Sequence, residues 1–216
     1  MPIARTGLHS GGRLQISYSS TNTTGRLRKP LIVVEGLDLN SVSSKLKENT
    51  DYETFVTGLN NIQGYDFNGQ LDDVGGYDLV YLDYTDGVDG IIRNAALLED
   101  ALLNFINTEK RANGSTQQNV ILGISMGGLV SRYCLANMTK RNLNPETRLL
   151  ITQDSPHRGA NAMLGLQHIV NVASDIPFTS GPIRITLGNI VPKIGAAARA
   201  NRTPGAIDQL FSSLYR

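Results

Sequence analysis

Short apolar runs alternate with segments of helical periodicity along most of this chain. Runs of β-branched and other apolar residues predict strands, and the run from 31 to 34 lacks polar alternation, as buried strands do. A stretch near the start alternates apolar and polar residues, which is typical of an exposed or edge strand. The five predicted strands are Leu14–Ser19, Leu31–Val34, Tyr77–Tyr84, Asn119–Leu122 and Arg148–Thr152.

Helical periodicity fills most of the gaps between these strands. A first helix is predicted from a cap at Asp38 or Asn40 to Leu59, and a second carries an apolar face around Ala95–Ile106 and ends near Gly114. Strands joined by helical crossovers favour a mainly parallel sheet with helices on both faces. We therefore expect an α/β three-layer sandwich. From residue 160 onward the pattern is helical and irregular, without a convincing strand pair.

Composition narrows the class of protein. With 216 residues, 40% hydrophobic and 18% charged, the chain can form one sizeable core, so we expect one domain over 1–216. A net charge of +1 without a basic block gives no reason to expect nucleic acid as a partner. No apolar stretch resembles a signal peptide or reaches the length of a membrane span, so the chain as written is expected to be soluble. The compartment of a longer parent protein and the oligomeric state stay open.

The pentapeptide Gly123–Gly127 (G-I-S-M-G) follows a predicted strand and opens a predicted helix. An attacking serine must project from a tight turn, and flanking glycines let strand and helix approach without Cβ clashes. The helix N-terminus also favours a developing oxyanion. Ser125 is thus a candidate nucleophile, and the alternative is a chance match that forms only a structural turn.

Other polar residues follow neighbouring strands. Glu35–Leu37 ends one strand, and Asp154–His157 follows another. Ligands bind beyond the carboxyl ends of parallel strands, so we expect both segments to lie near Ser125.

Three separated segments together resemble the α/β-hydrolase superfamily, in its lipase and GPI-inositol-deacylase-like branch. They are the strand and loop Val33–Leu37, the elbow Gly123–Gly128, and Ser155–Gly159, which is similar to the [ST]-P-H-x-G segment of many lipases. Their order agrees with the family over about residues 30–170. Lipases usually have His where this chain has Glu35.

The resemblance implies roles for several of these residues. Ser125 would be the nucleophile, and the backbone N–H groups of Leu37 and Met126 would bind the oxyanion. Glu35, Gly36 and His157 would line the substrate pocket, although Glu35 could instead order its loop through hydrogen bonds.

The catalytic base is harder to assign. The family order is Ser, then an acid, then His, and the chain has only His9, His157 and His168. A compact triad of Ser125, Asp154 and His157 keeps that order. The other hypothesis places the acid and the His beyond Arg216, so that the chain stops inside a lid-like helical region at about 160–216.

The expected function is a serine hydrolase that acts on carboxylic esters, with a small-molecule or lipid ester as substrate and a lipid surface as one site of contact. One alternative is an inactive or fragmentary hydrolase fold that serves as a binding module. Another is an acyltransferase, thioesterase or amidase on the same scaffold. No Cys/His cluster has metal-ligand spacing, so no metal or other cofactor is expected, and the single cysteine, Cys134, is expected in the core.

Overall fold

The computed structural model describes residues 1–38, 51–62 and 64–158, together with residues 172, 175, 177–180, 183–186 and 203–204. Its main feature is a six-stranded sheet in the order β1-β2-β4-β3-β5-β6. The strands are β1 (Pro2–Ile3), β2 (Gly12–Ser17), β3 (Pro30–Val34), β4 (Asp78–Tyr84), β5 (Asn119–Ile124) and β6 (Thr147–Gln153).

The four strands β3 to β6 run parallel, whereas β2 pairs antiparallel with β4 and with β1. Val34 pairs with Leu82 of β4 on one side and with Gly123 of β5 on the other. The carboxyl ends of the parallel strands are therefore neighbours along one edge of the sheet, and the residues that follow those strands share that edge.

Helices cover both faces of the sheet. They are α1 (Tyr52–Asn60), α2 (Phe67–Asp73), α3 (Ile91–Asp100), a π-helical segment (Ala101–Ile106), α4 (Asn107–Ala112) and α5 (Met126–Lys140). Ile32 and Val34 belong to a core cluster with residues of α3 and α5, while Val33 between them joins Phe67 and Leu71 of α2 on the other face. Alternate strand residues thus enter two cores. The predicted α/β three-layer sandwich with a mainly parallel sheet is confirmed.

The first helix that the structure describes is α1. Its N-cap is Asp51, whose carboxylate accepts a hydrogen bond from the Thr54 N–H at 2.9 Å. Asp38 lies on the loop after β3, and its N–H donates to the Gly87 carbonyl at 3.2 Å. Residues 39–50 lie outside the described part of the chain, so a helix capped by Asp38 or Asn40 stays a prediction.

The second strand lies at the edge of the sheet over most of its length, as its alternation predicts. It pairs with β4 from Gly12 to Ser17, whereas β1 covers only Gly12 and Arg13. Leu14 is buried against the core. The neighbouring β1 has only two residues, and it is held in part by the N-terminal ammonium of Met1, which donates to the Leu14 carbonyl at 2.6 Å. So short a strand leaves no periodic signal in the sequence. The helix α2 is also short, with seven residues, and the sequence pattern did not predict it.

A two-stranded antiparallel sheet follows in the C-terminal part, formed by β7 (Pro177–Ser180) and β8 (Ile183–Thr186). It corrects the expectation that no strand pair follows residue 160. The sequence has β character after residue 160 only over Ile183–Val191, which overlaps β8. Each strand has four residues and neither is a continuous apolar run, which explains why the pair was missed. The predicted lid-like region at 160–216 otherwise lies almost wholly outside the described residues, and its role stays a prediction.

The first turn of α5 packs against the end of β3 with no space for a side chain. A Cβ atom on Gly127 would lie 2.2 Å from the Val34 carbonyl oxygen and 2.4 Å from that of Glu35. Both are backbone atoms, so neither can move aside as a flexible side chain could. Glycine at this position is therefore a packing requirement of the fold.

We expect Gly127→Ala to lower the free energy of unfolding by about 3 kcal/mol, because the added methyl group would separate α5 from β3. Urea denaturation measures the change. Gly58→Ala is the matched control: Gly58 lies in α1 with nothing within 4 Å of its Cβ position, so alanine there should stabilise by about 0.5–1 kcal/mol. Equal stability of the two variants would contradict the proposed packing role.

Candidate active site

Ser125 occupies a sharp turn between β5 and α5. Its backbone has φ 49° and ψ −118°, a conformation that a residue with a Cβ rarely adopts. The Ser125 N–H donates to the Gln153 carbonyl of β6 at 2.8 Å. Such strain is typical of a serine whose hydroxyl projects from the top of a sheet.

The glycines around Ser125 are explained by close contacts. A Cβ on Gly123 would lie 2.5 Å from the Cα of Gly128, and one on Gly128 would lie 2.0 Å from the Ser155 Oγ. The turn therefore packs against its own helix on one side and against the loop after β6 on the other. Glycine at both positions is therefore a packing requirement of this turn.

The loop after β3 lies directly beside the serine. The Cβ position of Gly36 is 3.2 Å from the Ser125 Cβ and 3.8 Å from its Oγ. In the described part of the chain, no hydrogen bond is donated by the backbone N–H of Leu37 or by that of Met126. The structure thus brings Gly36, in the loop that carries the predicted donor Leu37, close to Ser125.

Glu35 is almost fully buried, with 1% of its surface exposed. Its Oε1 accepts a hydrogen bond from the Tyr84 N–H, and the Tyr84 hydroxyl donates to the Glu35 carbonyl at 3.3 Å. These contacts favour the loop-ordering hypothesis for Glu35 over a position on an open pocket wall.

His157 and Asp154 lie on the loop after β6, and no hydrogen bond or ion pair joins them among the described residues. Asp154 is exposed and has a positive φ of 48°. His157 is half-buried, and its Nδ1 is buried without a hydrogen-bond partner among the described residues. Burial of the imidazole and the positive charge of Arg132 lower the pKa of His157 below 6.5. Its neutral form therefore predominates at pH 7, as a base requires.

The other histidines differ in their surroundings. His9 is buried, its Nδ1 accepts from the Gly11 N–H at 3.1 Å, and its Nε2 lies 3.3 Å from an Asp100 carboxylate oxygen. Both ring nitrogens are thus engaged in structural contacts. His168 lies outside the described residues.

The surroundings of Cys134 are those of a core residue. Burial raises the pKa of its thiol well above the usual range, so the thiol stays protonated and unreactive. The prediction of a core cysteine is confirmed.

An open cavity of about 630 Å³ lies beside the loop after β4, whose Gly87 contacts Asp38. Arg5, Asp86 and three further residues line it. Across the described ranges, no group of His, Cys, Asp and Glu is arranged to hold a metal ion. None of the helices described is both long and apolar enough to span a bilayer.

The family model of the PGAP1-like alpha/beta domain matches residues 65–176, just over half of the chain. The chain belongs to this family. The matched range includes Ser125 and the loop with His157, while Glu35–Leu37 precedes it. This match confirms the resemblance to the GPI-inositol-deacylase-like branch, and two of the three segments that carry the resemblance lie within the matched range.

Among solved structures, the PGAP1-like chain is similar to the crystal structure of the Bacillus licheniformis lipase BlEst2 in its mature form. The two share 16% identity at a TM-score of 0.44, and the similarity covers 91% of this chain and 69% of the lipase. No curated protein matches this chain.

Sequence reasoning missed two residues near this site. Tyr84 ends β4 at the carboxyl edge of the sheet, and its position as the last residue of a strand is the signal that could have found it. Arg132 lies on α5, two turns after Ser125, and no pattern links it to His157.

We expect NMR titration of the His157 imidazole to give a pKa below 6.5. Arg132→Gln should raise that pKa, because the variant removes the positive charge that disfavours protonation. Since the folded state holds His157 neutral, the stability that His157 contributes should be present above pH 6.5 and lost as pH falls. Lys140→Gln, which removes a charge at the far end of α5, should leave the pKa unchanged. A wild-type pKa of 6.5 or higher would contradict this account.

Proposed function

We propose that this protein is a serine hydrolase that cleaves carboxylic esters through an acyl-serine intermediate. The observation that carries the proposal is the strained turn of Ser125 beside Gly36. A serine in that turn, next to the loop that carries the Leu37 N–H, fits the arrangement that acyl transfer needs.

The proposed reaction has two stages. The Ser125 Oγ bonds to the ester carbonyl carbon while its proton passes to a base, and the N–H groups of Leu37 and Met126 bind the oxyanion. The C–O bond to the alcohol then breaks, and the alcohol leaves with that proton. Water attacks the acyl-serine, releases the carboxylic acid and restores the serine hydroxyl.

His157 is the proposed base. Its support is its loop beside the elbow, its low pKa and its buried Nδ1 without a partner in the described part of the molecule. The acid role of Asp154 has less support, because this residue is exposed and no hydrogen bond or ion pair joins it to His157 among the described residues. An acid and a His beyond Arg216 remain the competing hypothesis.

A fluorophosphonate probe should label the wild-type chain, and Ser125→Ala should abolish labelling because the attacking oxygen is gone. Ser115→Ala is the matched control: Ser115 lies outside the site, and its Oγ donates to the Arg28 carbonyl at 2.5 Å. That variant should label at the wild-type rate. Labelling that persists in Ser125→Ala would show that another residue is the nucleophile.

His157→Gln should slow both labelling and p-nitrophenyl ester hydrolysis by about 100-fold or more if His157 is the base. Circular dichroism checks that the variant is folded. Unchanged rates in a folded variant would exclude His157 as the base and favour one outside the described residues. A series of p-nitrophenyl esters of rising chain length would then define the acyl preference.

A binding module on a hydrolase fold is the second candidate function. It is favoured by the lack of contact between Asp154 and His157 within the described residues, since a working triad needs an acid against its histidine. Complete absence of Ser125-dependent labelling would favour this candidate. An acyltransferase, thioesterase or amidase would label as a hydrolase does and would be separated from it by product analysis with added alcohols, thioesters or amides.

A further inference from the structure

Glu35 and Tyr84 form a reciprocal contact at the carboxyl edge of the sheet. The Glu35 side chain accepts from the Tyr84 backbone, and the Tyr84 side chain donates to the Glu35 backbone. Both residues are buried, with 1% and 4% of their surfaces exposed. Each side chain thus holds the other residue's main chain, which restrains the ends of two adjacent strands.

We propose that the Glu35–Tyr84 pair positions the oxyanion loop, residues 35–37, beside Ser125. The inference rests on the proposed function for its catalytic meaning. The restraint on the loop concerns only the backbone of residues 35–37 and does not depend on catalysis. Neither side chain touches the reacting atoms, so both act as positioning residues.

The geometry limits how this loop can move. Gly36 follows Glu35 directly and lies within 4 Å of the Ser125 Oγ, measured from its Cβ position. A rotation of the Glu35 peptide would therefore displace the Leu37 N–H relative to the serine. Oxyanion donors must lie about 2.7–3.1 Å from the developing charge, so a shift of a few tenths of an ångström weakens them.

The chemistry of the pair makes the restraint strong. Burial, together with the negative charge of Glu35, holds the pKa of the Tyr84 phenol well above its usual range, so the hydroxyl stays protonated and can donate. If the Glu35 acceptor were lost, the Tyr84 N–H would lose the carboxylate that accepts its hydrogen bond in the core. A second anchor follows at Asp38, whose N–H donates to Gly87.

The deciding variant is Tyr84→Phe, which keeps the buried ring and removes the hydroxyl. Hydrogen exchange of the backbone amides in residues 33–38 should be about fivefold faster in this variant, as expected for one lost hydrogen bond. Tyr77→Phe is the matched control, since it removes a hydroxyl that bonds Arg148 just before the other end of β4. Exchange of the same amides should stay within about twofold of wild type in the control.

The catalytic part is measured with a short-chain p-nitrophenyl ester. Tyr84→Phe should lower kcat by about fivefold with KM within about twofold, because the loss falls on the transition state. Glu35→Gln, which keeps an oxygen acceptor for the Tyr84 N–H, should retain more activity than Glu35→Leu, which removes it. If Glu35→Leu does not fold, the comparison of kcat and amide exchange between Tyr84→Phe and Tyr77→Phe tests the inference.

The two arms separate the possible failures. Amide exchange and kcat in Tyr84→Phe that match those of Tyr77→Phe would overturn the positioning inference. Faster exchange in a chain without Ser125-dependent activity would overturn the proposed function and leave the loop restraint standing. A rise in KM with unchanged kcat would show that the pair acts on substrate binding and would also overturn the inference.

Discussion

The rest of the site depends on the contact between the first turn of α5 and the end of β3. No side chain fits between them, because the carbonyl oxygens of Val34 and Glu35 lie where a Cβ on Gly127 would be. Because α5 packs so closely on the end of β3, the chain turns from β5 into α5 at a single residue. That residue is Ser125, with its positive φ. The strained serine is thus a consequence of helix and strand packing.

Buried polar contacts hold the neighbouring loop in the same region. Glu35 binds the Tyr84 backbone and Asp38 binds the Gly87 backbone, so two successive points of the loop are attached to the end of β4. Gly36 lies between them and passes close to Ser125. A strained turn can persist only where its surroundings restrain it, and these contacts, with the Ser125 N–H bond to Gln153, provide the restraint.

Most strands and the sandwich architecture followed from hydrophobic pattern alone, because strands buried on both faces are continuous apolar runs. The pattern failed where tertiary contacts replaced local signals. The two-residue strand β1, which covers the start of β2, leaves no periodic signal in the sequence. The hairpin of β7 and β8 was missed because four-residue strands carry little periodicity.

The sequence by itself determined the elbow Gly123–Gly127, its place between a strand and a helix, and the family resemblance, since glycine spacing and apolar runs are local properties. Only the tertiary structure decided that Glu35 orders its loop by binding Tyr84, which lies 49 residues away in the chain. It alone showed Asp154 exposed and the buried Nδ1 of His157 without a hydrogen-bond partner among the described residues. Side-chain direction on a loop depends on the packing of distant elements, so no local pattern could specify it.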